Sequence, residues 1–171
     1  ARRRISEFDA QGLSNTAWAF STLFFHSHEP LLNSLAAESL PKLSEFDPQN
    51  LANTAWSFSL LALPNLPLLS AISSASLPTI TEFSLQSLAN TAWSLANLAV
   101  EDLPLLAAIS SAALATISDF RTIDAARPEL FSFAMGLLGV VWANAFLEID
   151  TGRLAGASRR ALADIGREAD R

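Results

Sequence analysis

Phe46-Asp47-Pro48-Gln49-Asn50-Leu51-Ala52-Asn53-Thr54-Ala55-Trp56 is one of three near-copies of a single run. Its counterparts are Phe8-Asp9-Ala10-Gln11-Gly12-Leu13-Ser14-Asn15-Thr16-Ala17-Trp18 and Phe83-Ser84-Leu85-Gln86-Ser87-Leu88-Ala89-Asn90-Thr91-Ala92-Trp93. The three tryptophans are 38 and 37 residues apart. Self-similarity at a fixed period of this size marks stacked-repeat architectures. In each copy Asp9, Asp47 or Ser84 stands where a helix N-cap belongs. Pro48 falls at the first helical position, where its missing N–H costs nothing. The pattern predicts a helix of about fourteen residues starting near Ala10, Pro48 and Leu85. We call it the motif helix.

A second segment recurs between the copies. Pro30-Leu31-Leu32, Pro67-Leu68-Leu69 and Pro104-Leu105-Leu106 are spaced by 37 residues. Each opens a run with apolar residues at helical spacing, Leu32, Leu35, Leu40, Leu43 and Phe46 in one and Leu69, Ile72, Leu77, Ile80 and Phe83 in the next. This is the leading helix. Pro41 and Pro78 fall late in it and should kink or end it, whereas Ala115 replaces them in the third copy and predicts a straighter helix. The unit is a helix–turn–helix pair of 37 to 38 residues. The fold expected is all-α, a right-handed α-solenoid. It should occupy residues 1–150, as a partial repeat 1–28, repeats 29–65 and 66–102, and a degenerate repeat 103–150, followed by a charged capping helix over 151–171.

The ends fit this scheme. Ile5-Ser6-Glu7-Phe8 matches Leu43-Ser44-Glu45-Phe46 and Ile80-Thr81-Glu82-Phe83, so the chain opens inside the last turn of a leading helix. It has no initiator methionine and no apolar signal core behind Arg2-Arg3-Arg4, as expected of a processed chain or a fragment. Phe120 marks another boundary, and Phe131-Ser132-Phe133-Ala134 resembles Trp56-Ser57-Phe58-Ser59 after a small insertion. Arg153, Arg159, Arg160 and Arg167 lie among acids in the tail, a polar closing helix of the kind terminal repeats need.

The residue types exclude several functions. With no cysteine there are neither disulfides nor zinc–thiolate sites. His26 and His28 with Glu29 form a small cluster, but these are the chain's 2 histidines, too few for a defined metal geometry. There is no glycine-rich phosphate loop and no nucleophile–base arrangement, and Glu101-Asp102 reads as a helix-start cap. The chain is expected to be non-catalytic, with no metal and no cofactor. Trp18, Trp56 and Trp93 read as inter-helix core, since aromatics at helical spacing bury large areas. Asn15, Asn53 and Asn90 recur mid-helix, where Asn has poor propensity. They read as a buried ladder joining successive repeats through backbone carbonyls or one another. Residues 130–147 carry no charge over 18 positions. By length that is a marginal membrane span, but its match to the motif helix makes it a buried repeat helix, with membrane contact as the alternative.

Charge is distributed unevenly. The net charge is −6 and only 16% of residues are charged. No Lys or Arg lies between Lys42 and Arg121, and no charge of either sign from Pro48 to Thr81. The central repeats therefore cannot supply phosphate contacts, which dominate nucleic-acid affinity. A surface this uncharged is typical of one covered by partners.

The motif Phe-x-x-Gln-x-Leu-Ala-Asn-Thr-Ala-Trp resembles the octotricopeptide repeat family and its heptatricopeptide relatives over about Ile5 to Phe120. The resemblance implies an α-solenoid of chloroplasts or mitochondria that binds single-stranded RNA in transcript maturation, stability or translation, or that serves organellar ribosomes. On that reading the polar side of the leading helices would read RNA, through Asn33, Ser70 and Ala107 and through Lys42, Thr79 and Thr116. Arg2, Arg3, Arg4 and Arg121 would contact phosphates. The second reading is a protein–protein scaffold or accessory subunit of a larger organellar assembly, with membrane association as a variant of it.

Overall fold

The computed structural model describes residues 4–23, 29–120, 127–149 and 152–169. Every regular element among them is helical. After a 3₁₀ turn at Ile5–Glu7 come α1 (Ala10–Thr22), α2 (Glu29–Ser39), α3 (Pro48–Leu60), α4 (Leu66–Ser76), α5 (Leu85–Asn97), α6 (Leu103–Phe120), α7 (Arg127–Phe146) and α8 (Gly152–Ala169).

The motif helices start where the caps were expected. The carboxylates of Asp9 and Asp47 accept from the Gly12 and Asn50 amides at 2.7 and 2.6 Å, and the Ser84 hydroxyl accepts from Ser87 N at 3.1 Å. Asn65 and Asp102 cap α4 and α6 in the same way, accepting from Leu68 N and Leu105 N. Each such bond satisfies an amide that the first helical turn leaves without a partner.

The prolines act as expected. α2 stops at Ser39 and passes into a 3₁₀ stretch, Leu40–Glu45, containing Pro41. α4 stops at Ser76 and passes into Leu77–Glu82, containing Pro78. α6, with Ala115 at that place, runs unbroken for 18 residues. Proline removes one helical hydrogen bond and its ring crowds the carbonyl four residues back, so the chain tightens instead. The change of pitch corrects two core assignments. Leu40 and Leu77, expected inside, are both 38% exposed, because the side chain that begins each 3₁₀ stretch leaves the buried stripe of the helix before it.

Motif helices end without glycine. Ala62, Ala99 and Glu148 adopt φ of 52°, 52° and 57°. Around each, the chain closes the same pair of bonds, Leu63 N to Phe58 O (2.9 Å) and Ala62 N to Ser59 O (2.9 Å) in the first case. This is a Schellman cap, held here by residues that pay for left-handed backbone with a Cβ clash.

The packing is in two layers. α1, α3, α5 and α7 lie side by side, with the most extensive helix–helix contacts between α5 and α7, α1 and α3, and α3 and α5. α2 and α4, with their 3₁₀ extensions, and α6 cover one face of that row. The core lies between the layers, built from Leu13, Leu51, Phe58 and Leu88 on one side and Leu35, Leu68, Ile72 and Ile109 on the other. α8 packs on α6 and α7 through buried Leu154 and Ala161, leaving Arg153, Arg159, Arg160 and Arg167 exposed. No helix of the described residues is long and apolar enough to cross a membrane.

Adjacent motif helices meet through small residues. Thr54, Ser57, Ser59, Thr91 and Ser94 are all at most 1% exposed. The hydroxyls of Thr54, Ser57, Thr91 and Ser94 are satisfied within their own helix, as in Thr54 Oγ1 to Asn50 O (2.8 Å) and Ser94 Oγ to Asn90 O (2.6 Å), while Ser59 Oγ accepts from Asn97 Nδ2 of α5 at 3.1 Å. A hydroxyl bonded back to its own backbone presents an almost apolar, low-volume surface, so neighbouring helices approach closely.

Candidate functional site

The structure corrects the reading of the repeated Asn-Thr-Ala-Trp. Trp18 is 47% exposed, and Trp56 and Trp93 are half-buried. Asn15 is exposed and Asn53 and Asn90 are half-buried. None of the three asparagine amides forms a side-chain hydrogen bond with another described residue, so the expected buried ladder is absent. The reason is helical phase. Each residue turns the helix by about 100°, so the face holding Asn53 and Trp56 differs from the one holding Thr54 and Ser57. The neighbour-facing side took the small hydroxyls, and the outward side took the amide and the indole.

Other residues tie copies together. Ser14 Oγ donates to Asn50 Oδ1 at 2.8 Å, joining α1 to α3. Asn97 Nδ2 donates to Ser59 O at 3.0 Å, joining α3 to α5, and Ser110 Oγ donates to Asn144 Oδ1 at 3.3 Å, joining α6 to α7. These positions differ between copies, which is why a search for identical residues misses them.

Gln11, Asn15 and Trp18 stand at i, i+4 and i+7, on one face of α1. Gln49, Asn53 and Trp56 repeat this on α3, and Gln86, Asn90 and Trp93 on α5. With the helices side by side, the side chains form three rows, of glutamines, asparagines and tryptophans. Between α3 and α5 the surface dips into a depression of about 400 Å³ whose lining includes Gln49, Asn53, Gln86 and Asn90, with Asp47 and Glu82 at its edge. A second depression of about 420 Å³ joins Trp56 and Trp93 to Phe131 and Met135 of α7.

α7 closes the row in an unexpected register. Phe133, Leu137 and Val140 are buried and take the places of Leu88, Ala92 and Leu95. This puts Phe131 in the place of Gln86, not of a tryptophan. Close approach to α5 rests on two glycines. A Cβ at Gly136 would lie 2.9 Å from Leu85 Cγ, and one at Gly139 would lie 3.0 Å from Ala89 Cβ. The outward face of α7 then carries Phe131, Met135, Leu138, Trp142 and Phe146, exposed by 46 to 68%. The rings of Trp142 and Phe146 stack with centroids 5.2 Å apart. The amide-and-indole face thus turns largely apolar at its last helix.

The residues expected to read RNA lie elsewhere. Asn33, Ser70 and Ala107 are exposed on the covering layer, on α2, α4 and α6. Lys42 is half-buried, and its ammonium donates to Ser6 O at 3.1 Å and Phe8 O at 2.8 Å, a tie between the first two copies. Thr79 Oγ1 is 3.5 Å from Ala75 O and 3.4 Å from Ser76 O, and Thr116 Oγ1 donates to Ala112 O at 3.0 Å. Thr116 shares a depression with the motif face, beside Ser84 and Gln86. Arg4 is exposed. Arg2, Arg3 and Arg121, with His26 and His28, lie outside the described residues. Among the described residues no group of three or more His, Cys, Asp or Glu could hold a metal ion.

The face carries amides without a side-chain hydrogen bond to another described residue, half-open indoles, and carboxylates along one edge. No protein-family model matches this chain, and comparison with the curated proteins yields no significant match.

Proposed function

We propose that this chain is a non-catalytic helical-repeat module, a right-handed α-solenoid, that holds an extended polypeptide across its Gln–Asn–Trp face and so acts as a scaffold or accessory subunit of a larger assembly. The observation that carries this is the register of the rows. Three copies present the same glutamine, asparagine and tryptophan from adjacent helices, and no described side chain bonds the asparagine amides. A primary amide offers both a donor and an acceptor, the pairing that a peptide backbone presents at every residue. The apolar face of α7 extends the surface into one suited to aliphatic or aromatic anchors.

Single-stranded RNA is the second reading. The tryptophans favour it, since bases stack on half-exposed indoles, and so does the likeness of the motif to octotricopeptide repeats, which adds a chloroplast or mitochondrial location. The test is a parallel selection of random peptides and random single-stranded RNAs on the intact chain, with counter-selection on Trp18→Ala/Trp56→Ala/Trp93→Ala. Enriched peptides that shift tryptophan emission support the polypeptide reading. Enrichment of RNA alone refutes it.

A further inference from the structure

Helix spacing and edge charge together narrow the ligand of this face. Five carboxylates, Glu7, Asp9, Glu45, Asp47 and Glu82, recur along the N-terminal edge of the motif helices. Asp47 and Glu82 line the same depression as Gln49, Asn53, Gln86 and Asn90. The cap bond of Asp47 uses one carboxylate oxygen, Oδ1, and leaves the other to a ligand. Nothing offsets this charge between the second and third copies, since no Lys or Arg lies between Lys42 and Arg121. Lys42 is held by two carbonyls at the boundary of the first and second copies. A phosphate backbone laid here meets carboxylates. A cation meets carboxylates, while the indoles stand about two and a half turns further along each helix.

Packed helices lie about 8–10 Å apart. A polyproline II segment advances about 9 Å per turn of three residues, so every third side chain meets the next motif helix in the same register. We propose that the occupant is an extended, polyproline II-like polypeptide carrying Lys or Arg at every third residue. Each cation lies against the carboxylate edge of one copy, and the glutamines and asparagines further along each helix bond the backbone. This rests on the polypeptide reading above and adds sign and spacing to it.

Fluorescence anisotropy on the full chain tests it with labelled (Lys-Pro-Ala)₄. The controls are (Ser-Pro-Ala)₄, (Glu-Pro-Ala)₄, a peptide of the same composition with its four lysines adjacent, and a 12-residue oligoadenylate. Binding should fall at least tenfold for the serine and glutamate peptides and weaken with salt. Asp47→Asn/Glu82→Gln should weaken (Lys-Pro-Ala)₄ about tenfold with helicity unchanged, since Asn still caps α3. Equal binding of the serine peptide overturns the cationic assignment and leaves the polypeptide reading standing. Equal binding of the adjacent-lysine peptide overturns the spacing. Binding of oligoadenylate with no peptide bound overturns both this inference and the polypeptide reading.

Discussion

Replacing Asn53 and Asn90 by alanine should make this protein more stable. Both amides are half-buried on the outward face of their helices and bond no described side chain or carbonyl, so removing them leaves no orphaned partner. Asparagine is a poor mid-helix residue because its short amide competes for backbone bonds, and alanine is better by up to roughly 0.7 kcal/mol. The double variant should gain about 1 kcal/mol, a rise of about 2–4 °C in Tm for a chain of this size. Were these asparagines the buried ties between repeats that their recurrence first indicates, each change would instead cost about 1–3 kcal/mol by stranding a buried partner. Urea and thermal unfolding followed by circular dichroism separate the two. A loss of more than about 1 kcal/mol would refute the placement of these amides on an open face. A gain in stability joined to weaker peptide binding is the signature of residues kept for a ligand.

Three further outcomes follow from the packing. Phe58→Ala should cost about 3–5 kcal/mol, because Phe58 is 1% exposed between the layers, while Trp18→Ala, at a side chain 47% exposed, should cost less than half as much in the same urea titration. Ala62→Gly and Ala99→Gly should each stabilise by about 0.5–1 kcal/mol, since glycine adopts the left-handed cap without a Cβ penalty; a lowered Tm would refute the strain assigned there. Lys42→Met keeps the aliphatic stem but strands the carbonyls of Ser6 and Phe8, and should cost about 1 kcal/mol, with hydrogen exchange rising first around Ile5–Glu7.

Much of the local structure was legible in the sequence because it depends on few neighbours. The caps at Asp9, Asp47 and Ser84, the helix ends before Pro41 and Pro78, and the unbroken α6 with Ala115 all follow from backbone chemistry within four residues. The site was half legible. Asn15, Asn53, Asn90 and the three tryptophans stood out by recurrence, but they were assigned to the interior, and their glutamine companions were seen only as part of the motif. Composition misled there. Alanine, serine and threonine look like surface residues of no weight beside a tryptophan. In this fold they form the seam between motif helices, because small side chains whose hydroxyls bond back to their own helix let the backbones come close.

By itself, the sequence determined a chain of repeating helix pairs, where each helix starts and stops, and an acidic surface without basic residues at its centre. Only the tertiary structure decided which face of each motif helix is covered. That choice turns on contacts with residues 36 to 38 positions away, such as Ser14 with Asn50 and Asn97 with Ser59, and on whether two helices gain more by meeting at threonine and serine or at tryptophan. Close approach of the small residues prevailed. The indoles and amides were left facing outward, in rows across adjacent helices.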